Sequence, residues 1–142
     1  MGPALDVDAR TEMTVPPTIA RWHRIALENL PDELAGILAE DAVFESPVVH
    51  TPQVGRPIVE KYLRGALKVL NTPHFAYRGE WFGAQSAVLE FVSEIDGIKI
   101  NGVDIIHWND AGLITHFKVM VRPLKAINIL HQKMGEYLMA QG

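Results

Sequence analysis

The stretch VDIIHWNDAGLI at positions 103–114 decides the fold, because it joins two apolar strands through a short turn. β-Branched and aromatic side chains are typical of strands, and they fill positions 98–108 and 113–121. Gly112 can take the positive φ that such a turn requires. The same pattern predicts strands over 75–82 and 86–95, and Asp96-Gly97 predicts a hairpin turn. The second half of the chain is therefore predicted to form an antiparallel meander.

Apolar residues at helical spacing dominate the first half and the end of the chain. The predicted elements are a helix over 16–30, a second short helix from Pro31, a strand over 41–49 that Pro47 breaks, a third helix over 58–70, and a final helix over 123–140. Helices followed by an antiparallel meander predict the α+β class, with helices on one face of a curved sheet.

Composition narrows the class of protein. The chain has 142 residues, a net charge of −4 and no cysteine. The acidic balance argues against nucleic acid as the main partner, and the missing cysteines exclude disulfides and a thiolate nucleophile. No apolar stretch approaches the length of a membrane span, and no signal peptide is evident, so a cytoplasmic location is expected. We expect a flexible segment over 1–15 and one domain over 16–142.

Three stretches carry a family resemblance: EDAVFESP at 40–47, Gly55-Arg56 before the third helix, and the turn region 103–114. In this order they resemble the cone-shaped fold of nuclear transport factor 2, the ketosteroid isomerases and the SnoaL-type polyketide cyclases. The resemblance implies three N-terminal helices over the concave face of a curved antiparallel or mixed sheet, with a C-terminal helix. It also implies a pocket enclosed between that face and the helices.

The resemblance does not extend to the isomerase catalytic set. Where ketosteroid isomerases carry a carboxylate base before the proline of the first strand, this chain has Ser46. Where they carry a tyrosine on the first helix, it has Trp22, whereas Asp104 matches their protonated aspartate. The acid that SnoaL-type cyclases tend to carry in the last strand is missing from His116-Phe117-Lys118. Fold alone therefore assigns no reaction.

Strand alternation predicts which side chains face the pocket. If the turn pairs Trp108 with Leu113, Asp104 lies opposite Phe117 on a nearly apolar face. Desolvation there raises the pKa of a carboxyl, which makes Asp104 a candidate neutral donor or general acid. The alternative is a structural carboxyl that caps a backbone group or pairs with His23 or Trp22.

His23 follows Trp22 on the inward stripe of the first helix, and a histidine beside an apolar cavity can act as a general base. Asp104 and His23 are thus the candidate catalytic residues; the alternative for His23 is the helix surface or a dimer seam. Glu45 has the wrong parity to point where Ser46 points, unless Pro47 twists the strand. The candidate ligand-binding residues are Trp22, Ser46, Tyr62, Leu89, Phe91, Ile106, Trp108, Phe117 and Val119.

The opposite face of the sheet mixes charged and apolar side chains, which suits an interface between two copies of the chain. Its members are Glu90, Val92, Glu94, Ile105, His107, His116, Lys118, Met120 and Arg122. His107 and His116 share this face without a third ligand, so no metal site is expected. No glycine-rich phosphate loop is present, and no cofactor is expected.

These features lead to two hypotheses of different class. The first is a pocket protein for an apolar small molecule with one or two polar groups, acting as a lyase or isomerase with Asp104 as the acid. The alternative is a non-catalytic ligand-binding or dimeric assembly module, which the serine at position 46 favours.

Overall fold

The computed structural model describes residues 15–141. The predicted flexible segment 1–15 lies outside the described residues except for Val15, which packs against the core. The helices are α1 (Pro17–Leu27), a 3₁₀ helix (Pro31–Ile37), α2 (Arg56–Leu70) and α3 (Leu124–Ala140). The strands are β1 (Leu38–Glu45), β2 (Gln53–Val54), β3 (Ala76–Phe82), β4 (Ser86–Ile95), β5 (Ile98–Trp108) and β6 (Ile114–Arg122).

The six strands form one sheet in the order β2-β1-β6-β5-β4-β3. β1 runs parallel to β6, and the other neighbouring pairs are antiparallel. The predicted α+β fold with a curved, mixed sheet is confirmed, as is the meander from β3 to β6. The first strand begins earlier than predicted and ends at Glu45, because Pro47 has no N–H to donate to a neighbouring strand.

The turns are built as the sequence predicts. Asp96 and Gly97 both have positive φ, of 53° and 80°, as a two-residue hairpin requires. Gly112 has a φ of 80°. The turn at Gly112 is also attached to α1, because the Thr18 hydroxyl donates a hydrogen bond of 2.9 Å to the Gly112 carbonyl.

The register between β5 and β6 differs from the prediction. Asp104 pairs with Val119 rather than with Phe117, which pairs with Ile106. An irregularity beside Trp108 pairs it with Ile114, so the turn is longer than assumed. The resulting displacement is two residues, which preserves the alternation of faces. Asp104, Phe117 and Val119 therefore still share the concave face.

The core lies between this concave face and the helices. α2 packs on β1, and α3 packs on α2, β5 and β6. Gly102 on β5 lets the ring of Phe91 lie close to the strand, because a Cβ at Gly102 would lie 2.6 Å from that ring.

Candidate functional site

A small cavity lies between α1, α2 and the concave sheet face, and we call it the inner cavity. Its volume is about 30 Å³, enough for roughly one water molecule. Its wall is formed by Trp22, Ala26, Leu63, Ala66, Leu67, Leu70, Asn71, Phe75, Tyr77, Phe91, Asp104, Phe117 and Val119.

A larger cavity of about 180 Å³ adjoins it, and we call it the outer cavity. It lies between α2, α3 and the segment that follows β1. It shares Ala66, Leu70 and Val119 with the inner cavity, so the two are neighbouring compartments. The rest of its wall is Phe44, Ser46, Pro47, Val48, Val49, Tyr62, Leu130, His131, Met134, Gly135 and Leu138.

Asp104 supplies the acidic group of the inner cavity. It is 6 % exposed and sits on β5 between Leu89 of β4 and Val119 of β6. Burial raises the pKa of Asp104 to about 8, and within residues 15–141 no hydrogen bond or nearby cation lowers it again. At neutral pH the side chain is therefore a neutral carboxylic acid, with a proton to donate into the cavity.

Tyr77 is a second polar group in this cavity, and it was not predicted from the sequence. The indole N–H of Trp22 donates a hydrogen bond of 2.9 Å to the Tyr77 hydroxyl oxygen. Burial, and then the charge that Asp104 carries when ionised, raise the pKa of Tyr77 well above its usual value. The hydroxyl thus keeps its proton. Tyr77 lies opposite Phe91 on the neighbouring strand, so its position in the cavity could be predicted only with the pairing register of β3 and β4 known.

Aromatic rings explain why the inner cavity is small. Trp22 meets Phe117 edge to face, with ring centroids 4.8 Å apart, and Phe75 stacks on Phe91 at 5.7 Å. Such pairs pack at core density and leave little free volume. The polar atoms of Asp104 and Tyr77 are consequently surrounded by closely packed apolar side chains.

The structure distributes the predicted ligand-binding residues over both cavities and the core. Trp22, Phe91, Phe117 and Val119 line the inner cavity beside Asp104, whereas Ser46 and Tyr62 line the outer one. A further set is buried on the concave side without lining either cavity: Leu89, Ile106 and Trp108.

His23 lies beside the inner cavity rather than in its wall. Its Nε2 is 2.6 Å from a carboxylate oxygen of Glu80, and its ring is 5.2 Å from that of Tyr77. This contact joins α1 to β3 next to the tyrosine. His23 therefore contacts Glu80 and Tyr77 and does not line either cavity.

Ser46 and Glu45, which lie just before Pro47, have side chains that point in different directions. The Ser46 hydroxyl oxygen accepts hydrogen bonds from the backbone N–H groups of Val48 and Val49, at 2.9 and 3.2 Å. Glu45 contacts His116 and lies 3.7 Å from the Lys118 ammonium, on the sheet face opposite Asp104. Glu45 therefore faces away from the cavities, as strand alternation predicts, and Pro47 does not turn its side chain inward.

Residues 15–141 contain no group of three or more histidine and acidic side chains arranged to hold a metal ion. His107 and His116 stand across from each other on β5 and β6, with ring centroids 5.9 Å apart. None of the helices in the described part of the chain is long and apolar enough to cross a membrane.

Comparison with known proteins gives the family through solved structures. No protein-family model matches the chain. No curated protein matches it either. A steroid delta-isomerase from Pseudomonas aeruginosa is 36 % identical, with a TM-score of 0.83 over 87 % of this chain and 90 % of that one. An uncharacterised bacterial protein with a cystatin-like fold from Silicibacter pomeroyi is 30 % identical, with a TM-score of 0.83 over 89 % of each chain.

A more distant structure agrees on the fold alone. A hypothetical protein with a ketosteroid isomerase-like fold from Catenulispora acidiphila, in complex with trimethylamine, is 14 % identical. Its TM-score is 0.61 over 80 % of this chain and 91 % of that one. The chain belongs to the nuclear transport factor 2-like superfamily, in its ketosteroid isomerase-like form.

Proposed function

We propose that the protein binds an apolar small molecule through one oxygen atom and acts on it as an isomerase or lyase, with Asp104 as the acid. The observation that carries this proposal is the buried carboxyl group of Asp104 in an apolar cavity, without a hydrogen-bond partner among the described residues. Burial raises the pKa of this group to about 8. A buried carboxyl group of this kind is poorly solvated and favours a ligand that accepts its proton in a hydrogen bond.

The proposed reaction depends on stabilising the negative charge that develops on the ligand's oxygen atom. Removing a proton next to a carbonyl group moves negative charge onto the carbonyl oxygen. Donors held in a rigid, water-poor site stabilise that charge without first having to reorient. Asp104 is one such donor, and the Tyr77 hydroxyl, fixed by Trp22, is the second. Isomerisation and elimination of a β-substituent can both begin with this step.

The volumes of the two cavities indicate which part of the ligand each cavity holds. The inner cavity of about 30 Å³ has room for the oxygen and little more. The carbon body then occupies the outer cavity of about 180 Å³, whose wall is mainly aliphatic. An apolar molecule with a single oxygen at one end matches this division.

The base must lie on the outer side, because both donors lie on the inner side. Ser46 is unsuited, since its oxygen already accepts two backbone N–H groups. Among residues 15–141, His131 of α3 is the only histidine that lines either cavity. An imidazole can accept a proton near neutral pH, so we assign the base to His131. His23, predicted as the base from sequence, becomes a positioning residue in this proposal.

Exchange of ketone protons tests the proposal directly. 4-Methylcyclohexanone in D₂O exchanges the hydrogens next to its carbonyl group when a base removes one and solvent deuterium replaces it, which proton NMR follows. We expect the wild-type protein to accelerate this exchange, and Asp104→Ala and His131→Gln each to reduce the acceleration by at least about 100-fold. Lys125→Gln, an exposed substitution on the same helix, serves as the control.

The result also separates the two hypotheses. The engaged serine at position 46 favours the second one, binding without turnover. Binding of the ketone without accelerated exchange would support that alternative. Exchange that is as fast in Asp104→Ala as in the wild type would refute Asp104 as the acid.

We further propose that the outer sheet face pairs two copies of the chain. This face carries exposed Trp81 and Met120, each 54 % exposed, beside the half-buried Val88 and Ile105. Sedimentation velocity at micromolar concentration is expected to give a dimer for the wild type and a monomer for Met120→Glu. A monomeric wild type would contradict this assignment.

A further inference from the structure

We infer that α3 acts as a size filter, so that the outer cavity admits ligands with a single six-membered ring and excludes fused-ring systems such as steroids. Gly135 is the residue that sets this limit. The inference rests on the proposed function, since it names the class of ligand whose oxygen meets Asp104. It adds a specificity-determining position outside the polar site.

The volume of the outer cavity sets the ligand class. An apolar protein cavity of about 150 Å³ takes up benzene. The outer cavity is of similar size, at about 180 Å³, and the inner cavity adds only about 30 Å³. One ring with short substituents fills this space. Four fused rings exceed it unless α3 moves away.

α3 forms one complete wall of the outer cavity. It contributes Leu130, His131, Met134, Gly135 and Leu138, which recur at helical spacing along one face. The opposite wall comes from α2 and the segment that follows β1. The width of the cavity is therefore the distance between α3 and α2.

That distance is fixed by packing. A Cβ at Gly65 on α2 would lie 2.8 Å from the terminal methyl of Met134 and 3.0 Å from the ring of Tyr137. Gly65 thus brings the two helices together beside the cavity. Nearer its N-terminal end, α3 is held by the buried side chains of Ala126, Ile129 and Leu130. Contacts at both ends keep α3 from giving way to a larger ligand.

Gly135 is the position where the wall lacks a side chain. It lines the outer cavity, and a Cβ placed there meets no atom within 4 Å. The space beside Gly135 is therefore available to a ligand. A long side chain at this position would occupy that space itself, whereas a methyl group would take little of it.

Isothermal titration with two ketones that differ in ring number tests the inference. The probes are 4-methylcyclohexanone, with one ring, and androst-4-ene-3,17-dione, with four. We expect the wild type to bind the one-ring ketone at least about tenfold more tightly than the steroid. Gly135→Leu should weaken one-ring binding at least about tenfold, and the control Lys125→Leu, at an exposed position on the same helix, should leave it within about twofold.

A second variant keeps the test valid if Gly135→Leu fails to fold, which circular dichroism would show. Met134→Ala removes part of the same wall, so we expect it to bind the two-ring ketone 2-decalone at least about tenfold more tightly than the wild type does. Steroid binding by the wild type as tight as one-ring binding would overturn the size filter. Unchanged one-ring affinity in a folded Gly135→Leu would do so as well.

The variant Asp104→Ala separates this inference from the proposed function. If ring-number selectivity persists but affinity does not depend on Asp104, the size filter stands and the assigned acid is wrong. If affinity depends on Asp104 while ring number and Gly135 have no effect, the assigned acid stands and the size filter is wrong. A wild type that binds neither ketone contradicts both.

Discussion

The inner and outer cavities adjoin but are built from different kinds of side chain. The inner cavity is enclosed by core aromatic rings such as Trp22 and Phe117, which are almost fully buried. The outer cavity is bordered by half-buried aliphatic side chains of α3, including Met134 and Leu138. The inner wall is part of what holds the protein folded, whereas the outer wall mainly limits what fits. Substitutions in the inner cavity should therefore change stability and binding together, whereas substitutions in the outer cavity should mainly change binding.

The largest expected effect is a pH dependence of stability that comes from Asp104. Its pKa of about 8 in the folded protein lies above the ordinary value of 3.8. Below pH 3.8 both states are protonated and the group has no effect; as pH rises towards 8, ionisation favours the unfolded state. At about 1.4 kcal/mol per pKa unit, the full loss above pH 8 is about 6 kcal/mol.

Urea unfolding at about pH 5 and pH 8.5 measures this loss. We expect the free energy of unfolding of the wild type to fall over this interval, and that of Asp104→Asn to fall by much less. His131→Gln, in the outer cavity, should leave the wild-type loss in place. Parallel losses in wild type and Asp104→Asn would show that Asp104 does not titrate this way.

The next effect compares truncations of the two walls. Phe117→Ala removes a ring that contacts Trp22 and Phe44, and should lower the free energy of unfolding by about 3–5 kcal/mol. Leu138→Ala, on the half-buried outer wall, should lower it by only about 1 kcal/mol. Chemical denaturation gives both values. Equal losses would mean that both walls belong to the folding core.

Two tyrosines provide a finer comparison. Tyr77→Phe removes the oxygen that accepts the Trp22 N–H, so we expect a loss of about 1–2 kcal/mol in stability and about tenfold in affinity for 4-methylcyclohexanone. Tyr62→Phe, in the outer cavity, should change stability by less than about 0.5 kcal/mol and affinity by less than about twofold. Similar affinity losses in both variants would remove Tyr77 from the polar site.

The smallest effect concerns two helical glycines. Gly135→Ala should raise the free energy of unfolding by about 0.5–1 kcal/mol, because alanine favours the helix and the added methyl meets no atom within 4 Å. Gly65→Ala gains the same helical preference but places its methyl against Met134 and Tyr137. Thermal unfolding should therefore rank Gly65→Ala below Gly135→Ala. The opposite order would mean that α2 and α3 are not closely packed.

Much of the architecture was predictable because it depends on local patterns. Alternating β-branched residues and the turns at Gly97 and Gly112 gave the meander, and helical spacing gave the final helix. The concave face with Asp104 was also predictable, since the two-residue change in register kept the parity of β5 and β6. The assignments of Asp104 and His23 as catalytic residues stay predictions.

Other features were not predictable from local patterns. Tyr77 and His131 enter the cavity walls through pairing between β3 and β4 and through the docking of α3. His23 followed the inward stripe of its helix, yet Glu80 on β3 holds it outside the cavity wall. Contacts between residues this far apart in the chain have no signature in spacing.

The sequence by itself determined the order of helices and strands and the apolar concave face that contains Asp104, because side-chain alternation and helical periodicity are local properties. Only the tertiary structure decided that Asp104 is desolvated enough to stay protonated at neutral pH, that Tyr77 lines the same cavity, and that α3 closes a second compartment beside it. Desolvation and cavity volume depend on every element that surrounds a point in space, so they exist only once the helices have packed on the sheet.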